Sequence, residues 1–285
     1  MPSFTRFANV RLVSRSGVTA PRLSMVYGSR PMPATDFDAS IVQRTDHRPW
    51  PLPDAPWVMT QSWHDLLFAH WPIDPTQLRA RIPREFELDV FDGRGWLSVV
   101  AFHMTNLSPR GVPSLPWISA FPELNVRTYV RVDNRPGVFF FSLDAGNALP
   151  VKSARALLNL PYYSATMNVS TIGNGIRYRS ARRSHSSAEF IATYEPHGPL
   201  FTAAEGTLER FLTERYCLYH HNHRGAPYRL EVHHPPWSLQ LAEATFERNS
   251  MATAVGFSDL GAPTMVHFAR RQDAVIWMPS RLRSK

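Results

Sequence analysis

Phe121-Pro122-Glu123-Leu124-Asn125-Val126-Arg127-Thr128-Tyr129-Val130-Arg131-Val132 runs into Asp133-Asn134-Arg135-Pro136-Gly137 and then Val138–Leu143, and this order decides the fold. Asn125, Arg127, Tyr129 and Arg131 alternate with Val126, Thr128, Val130 and Val132. That is the period of a strand with two unlike faces. The Asp-Asn-Arg-Pro-Gly run is turn chemistry, so it returns the chain as a hairpin. Glu123, Asn125 and Arg127 then share one face of their strand. A short helix over about residues 150–159 is expected next, delivering Leu160-Pro161-Tyr162-Tyr163.

Outward from this hairpin the pattern repeats. Residues 57–71 are apolar and aromatic enough for one or two strands. Asp74-Pro75-Thr76-Gln77 reads as a helix start, with Asp74 as cap, Pro75 at the first helical position and Gln77 able to complete a capping box. Pro83 stops that helix near Ile82. Asp92-Gly93 reads as a turn, and Gly173-Asn174-Gly175 and Glu195-Pro196-His197-Gly198-Pro199 separate later strands. Many short strands with a few short helices predict an α+β fold dominated by a mainly antiparallel, curved or barrel-like sheet.

The net charge of +8 is concentrated at the ends, with +3 in residues 1–40 and +4 in residues 270–285, which leaves +1 for the body. A nucleic-acid-binding domain gathers its charge on a folded face, so no nucleic-acid partner is expected. No run approaches the ~20 apolar residues of a membrane helix. One cysteine, Cys217, excludes an intrachain disulfide and suits a reducing, cytoplasmic setting; it is read as a buried, inert thiol. Residues 1–40 have a composition that also fits an organelle transit peptide, but without a helical apolar face they are expected to be a weakly structured basic tail, or a start placed too far upstream, ahead of a single domain over 41–285.

Candidate chemistry starts with Glu123, set among apolar and aromatic residues. It reads either as a cavity carboxyl with a raised pKa, able to act as a general acid or base, or as an ion-pair partner of Arg127 or a surface group. His64 and Asp65 are neighbours on a strand and face opposite ways, so His64 as a cavity base and Asp65 as a structural anion are separate readings. Asp144 is expected to bond local backbone. His220, His221, His223, His233 and His234 cluster in sequence, but no HExxH or CxxC pattern supports a metal; neither metal nor cofactor is expected. His234 opens His234-Pro235-Pro236-Trp237, a rigid connection read as lining a pocket mouth.

Several blocks resemble the DUF2071 (YqjF-like) group of the acetoacetate decarboxylase-like superfamily. They are Arg48-Pro49-Trp50-Pro51-Leu52-Pro53, Leu66 to Pro72, Phe121 to Tyr129, Phe139 to Ala145, Leu212 to Tyr219 and His233 to Trp237. The resemblance spans roughly residues 45–280. It implies the sheet fold of that superfamily, in which an aromatic-x-Glu segment faces a Pro-Lys-Lys segment whose lysine forms an imine with a keto acid. Here Glu123 stands at the glutamate position and Tyr162 and Tyr163 at the lysine positions. A phenol donates a hydrogen bond and forms no imine. Lys152 and Lys285 are the only lysines; Lys152 is read as part of a solvated helix face.

The expected function is therefore to hold a small carbonyl- or carboxylate-bearing molecule in an internal cavity. Glu123, Tyr162 and Tyr163 are the candidate catalytic residues, and Arg127, His64 and His234 the candidate binding residues. An imine-free lyase, hydratase or isomerase is one reading and a non-catalytic binding or sensory module the other; a homo-oligomer is compatible with both.

Overall fold

The computed structural model describes residues 37–112, 119–146, 159–183 and 188–282. The strands are β1 (Met59–Ile73), β2 (Glu87–Leu88), β3 (Gly95–Pro109), β4 (Phe121–Val132), β5 (Arg135–Ala145), β6 (Tyr162–Ile172) and β7 (Gly175–Arg182). They continue as β8 (Glu189–Phe201), β9 (Cys217–His221), β10 (Pro227–His233), β11 (Leu239–Asn249), β12 (Met265–Ile276) and β13 (Ser280–Arg281). Short helices occupy Pro75–Arg79, Leu208–Thr213 and Met251–Ala254. The expected helix before Leu160 and both lysines lie outside the described residues.

All 13 strands belong to one sheet that closes on itself twice. One ring runs β5-β6-β7-β8-β11-β12-β1-β3-β4 and back to β5; the other runs β5-β9-β10-β12-β1-β3-β4. Pairing is antiparallel except for β5–β6 and β5–β9. The expected α+β fold with a mainly antiparallel, barrel-like sheet is what forms. Because β1, β3 and β4 belong to both rings, each face of that shared wall is buried. Their burial is accordingly almost continuous, as expected of strands covered on both sides.

Two separate sets of side chains line the two rings. Leu67, Ala69, Val99, Ala101, Leu124 and Val126 pack with Tyr178, Ala192 and Phe268 on one side of the wall. Phe68, Val100, Phe102 and Trp237 pack on the other, continuing into Tyr129, Leu143 and Leu212. Burying each such large apolar side chain contributes roughly 1.5–3 kcal/mol. The helix Leu208–Thr213 lies over the second chamber, with the Leu212 carbonyl accepting from both Arg127 Nη2 and Tyr129 Oη.

The β4–β5 turn is tighter than the five-residue reading: Asp133 and Asn134 alone make it, both at positive φ. Two such residues match the right-handed twist of a hairpin. The Asp74 cap forms as expected, accepting from Thr76 N at 2.7 Å, but the helix ends at Arg79, before Ile82. Gly137 is required where β9 crosses β5, because a Cβ there would sit 2.7 Å from the Cys217 carbonyl oxygen. Cys217 is buried, and burial pushes its thiol up to about 12. Labelling of the native protein with an aromatic disulfide reagent at pH 8 should therefore be negligible until denaturant is added; fast labelling of the folded chain would contradict this environment.

Candidate functional site

Register decides which of the candidate residues meet. Along β4, Glu123, Asn125, Arg127 and Tyr129 point into the chamber that also holds Phe68, Phe102 and Trp237. β6 pairs with β5 in parallel, Leu143 opposite Tyr162, while Leu143 also pairs with Asn125. That places Tyr162 on the Glu123 side, and its hydroxyl donates to Glu123 Oε2 at 2.9 Å. The strand begins immediately after Pro161, whose carbonyl accepts from Leu143 N at 2.9 Å. Tyr163, one residue on, faces the other ring, under the Arg182 guanidinium at 3.9 Å from its ring centre.

Glu123 is only 4% exposed. Burial lifts its carboxyl to about 7 against the opposing pull of hydrogen bonds from Tyr162 and Asn125, and the charge of Asp144 adds to the rise. Burial and the neighbouring carboxylate push the Tyr162 phenol far above its ordinary value, so it remains a donor. Phe102, Trp63 and Trp237 build an aromatic wall nearby, with Trp63 and Trp237 stacked at 5.9 Å and Trp63 set against Phe102 at 6.1 Å. A buried carboxyl poised near neutrality beside a fixed phenol can give or take a proton at a substrate atom.

The other candidates are distributed differently. Arg127 does not pair with Glu123; it donates to Leu212 O at 3.1 Å and lies over the rings of Phe68 and Tyr129. His64 is directed away from the chamber by an irregularity at Asp65, whose φ is +50°. Trp63 packs inward, whereas His64 turns to the opposite face and shares a 2.8 Å hydrogen bond with Thr105. Burial and the positive charge of Arg271 lower it to about 4, so it is neutral and not brought to Glu123. Asp65 pairs with Arg270 at 2.6 Å, which corresponds to the structural-anion reading.

His234 stacks on Tyr216 at 4.7 Å and packs against Trp237 at 5.2 Å, behind the aromatic wall. Its neighbour Glu214 is anchored by Trp237 N at 2.9 Å and by the Tyr216 hydroxyl. The histidine run does not converge: His220 stacks on Tyr228, His221 on Phe86, and His233 bonds the Ile41 carbonyl. Among the described residues no three metal-ligating side chains gather. Asp144 corrects the local-backbone expectation. It forms a buried ion pair with Arg182 at 2.7 Å, across 38 residues of chain.

Sequence reasoning missed a second polar group on the chamber side. His70 Nδ1 lies 2.7 Å from Ser98 Oγ, which lies 2.6 Å from Tyr129 Oη; His267 lies near His70, ring centres 5.7 Å apart. Both histidines are fully buried. A signal was present: each is a polar residue interrupting an apolar strand run. An open cleft of about 280 Å³ lies elsewhere, lined by Phe139, Phe141, Tyr219, His220 and His221 among others, and does not include Glu123.

Comparison with known proteins agrees with this architecture. The chain is 42% identical over 237 residues to the uncharacterized protein YqjF of Bacillus subtilis (strain 168), covering 83% of this chain and 98% of that one. Acetoacetate decarboxylase from Legionella pneumophila superposes with a TM-score of 0.55 at 15% identity, covering 88% of this chain and 98% of that one. The enduracididine biosynthesis enzyme MppR, complexed with the condensation product of pyruvate and imidazole 4-carboxaldehyde, gives 0.54 at 14% identity, covering 80% and 90%. These structural likenesses establish a shared fold. The DUF2071 family, described as an uncharacterized conserved protein, matches residues 60–273. The chain therefore belongs to the DUF2071 family.

Proposed function

We propose that the chamber around Glu123 binds a small carbonyl- or carboxylate-bearing molecule, and that Glu123 moves a proton at a carbon beside that carbonyl without an imine intermediate. The observation that carries this reading is the Glu123 carboxyl, buried, raised to about 7 and bonded by Tyr162. At neutral pH such a group is present in both protonation states, which suits proton abstraction and return. Tyr162 steadies the carboxylate with its single O–H; that O–H is released toward a substrate oxygen only when Glu123 carries the proton and itself donates to the phenol oxygen. The neighbouring folds support the ligand class, since MppR is also found complexed with pyruvate. A lyase, hydratase or isomerase step follows from this chemistry. No nucleic-acid partner enters the reading, and among the described residues no helix is long and apolar enough to cross a membrane. We place the protein in the cytoplasm, in keeping with its single cysteine.

The test is solvent deuterium exchange at carbons adjacent to the carbonyl of 2- and 3-keto acids, followed by NMR, with borohydride trapping read by intact mass. Exchange that disappears in Glu123→Gln, with no keto-acid adduct on protein, is the expected result. In Tyr162→Phe the carboxylate loses a donor, so the rate profile should move to higher pH. An adduct on either lysine would replace this mechanism with an imine one. Tight binding without exchange would leave a non-catalytic binding module.

A further inference from the structure

The chamber has a second polar end. The β4 positions cross the wall in rows: Glu123 with Phe102, Asn125 with Val100 and then Phe68 and His267, Arg127 with Ser98 and then His70. In this lower part Arg127 Nε, His70 Nε2, Asn125 Oδ1 and both ring nitrogens of His267 are buried with no partner among the described residues. Buried polar atoms in folded proteins are almost always satisfied, so a run of them along one chamber is a recognition surface for polar groups.

Hydrogen-bond direction defines what that surface accepts. Leu212 O can only accept, so the Tyr129 hydroxyl donates to it. Tyr129 Oη therefore accepts from Ser98 Oγ–H, and Ser98 Oγ in turn accepts from His70 Nδ1–H. The proton is thus placed on Nδ1, and His70 Nε2 presents a bare lone pair to the interior. Burial, helped by the positive charge of Arg127, keeps His70 neutral. Arg127 offers an N–H with positive charge; His70 asks for an O–H. A carboxylate answers the first and a hydroxyl the second.

We propose that Arg127 and His70 bind the hydroxy-carboxylate end of the ligand whose carbonyl end meets Glu123 and Tyr162, with His267 and Asn125 contacting hydroxyls between them. This rests on the function proposed above. Four residues of strand separate Glu123 from Arg127, ~13 Å. With a hydrogen bond of ~2.8 Å at each end, the remaining span fits a chain of about six carbons. The ligand class is a hydroxylated keto acid with its ketone remote from its carboxylate.

The probes are 5-keto-D-gluconate, 5-oxohexanoate (no hydroxyls), gluconate (no ketone) and fructose (no carboxylate), titrated calorimetrically into the full chain. 5-Keto-D-gluconate should bind at least ~10-fold more tightly than each of the other three, the effect of one well-made buried polar contact. Arg127→Gln should remove the advantage over fructose, and His70→Phe the advantage over 5-oxohexanoate. Because His70→Phe disturbs a buried chain of hydrogen bonds, the wild type is also read directly. Histidine ¹⁵N shifts should show His70 protonated at Nδ1, with its Nε2 resonance moving on binding. Equal affinity for 5-keto-D-gluconate and 5-oxohexanoate, together with a static Nε2 resonance, would overturn the second subsite while leaving the Glu123 reading intact. No binding of any probe, with no Glu123-dependent exchange, would overturn both.

Discussion

Glu123→Gln is expected to stabilise the protein by ~3 kcal/mol above pH 7 while abolishing any reaction that uses the carboxyl. The sign follows from where the proton sits. The unfolded chain releases it near 4.5, whereas the folded protein keeps it up to about 7. Between those values the folded state holds more protons than the unfolded one, so wild-type stability falls as pH rises and levels off above about 7. Below 4.5 the carboxyl is neutral in both states and nothing is lost. Glutamine is neutral throughout, can still accept from Tyr162, and avoids placing a charge in this chamber. The difference between variant and wild type should therefore be near zero at pH 4 and largest at pH 8, read as urea midpoints across that range. A variant that is less stable than wild type at pH 8 would mean that the carboxylate is ionised and fully satisfied in the fold, removing the physical basis for acid–base work. The expected gain is a stability–function conflict of the kind that marks working sites.

Sequence periodicity revealed the wall of this chamber more readily than its contents. The alternation through β4 placed Glu123, Asn125 and Arg127 on one face without any tertiary information, and the structure keeps that face. For Tyr162 and Tyr163, strand geometry required that only one look inward. Choosing between them needed the parallel register of β6 on β5, which no local pattern encodes. His64 shows the opposite problem: the Asp65 irregularity resets the face of every residue before it, and a bulge of this kind has no reliable sequence mark. Partners distant in sequence stayed hidden for a simpler reason. Asp144 meets Arg182, and His70 meets His267, only once strands from different parts of the chain are adjacent. The polar residues were visible; their companions were not.

Removing Arg182 should be among the most damaging single changes outside the chamber. Its side chain is 1% exposed and that of Asp144 0%. Nε and Nη2 of Arg182 donate to the carboxylate at 2.7–3.2 Å, and the guanidinium covers the Tyr163 ring. Burial already holds the Asp144 acid above its ordinary value despite the nearby arginine, so the pair opposes a large desolvation penalty. Arg182→Ala leaves that carboxylate buried and uncompensated, and is expected to lose ~3–5 kcal/mol. The double variant Asp144→Leu/Arg182→Met removes both charges and should recover most of the loss, because paired buried charges add little net stability over apolar groups of similar size. Urea unfolding of wild type, Asp144→Leu, Arg182→Met and the double variant forms a cycle that isolates the coupling; a double variant no better than Arg182→Met alone would mean that shape, not charge, holds this position. The same cycle reaches the site. Asp144 raises the Glu123 carboxyl through its charge, so the double variant should titrate Glu123 at a slightly lower pH. The Asp144 charge, held on β5 by Arg182 of β7, thus helps set the proton affinity of Glu123 on β4.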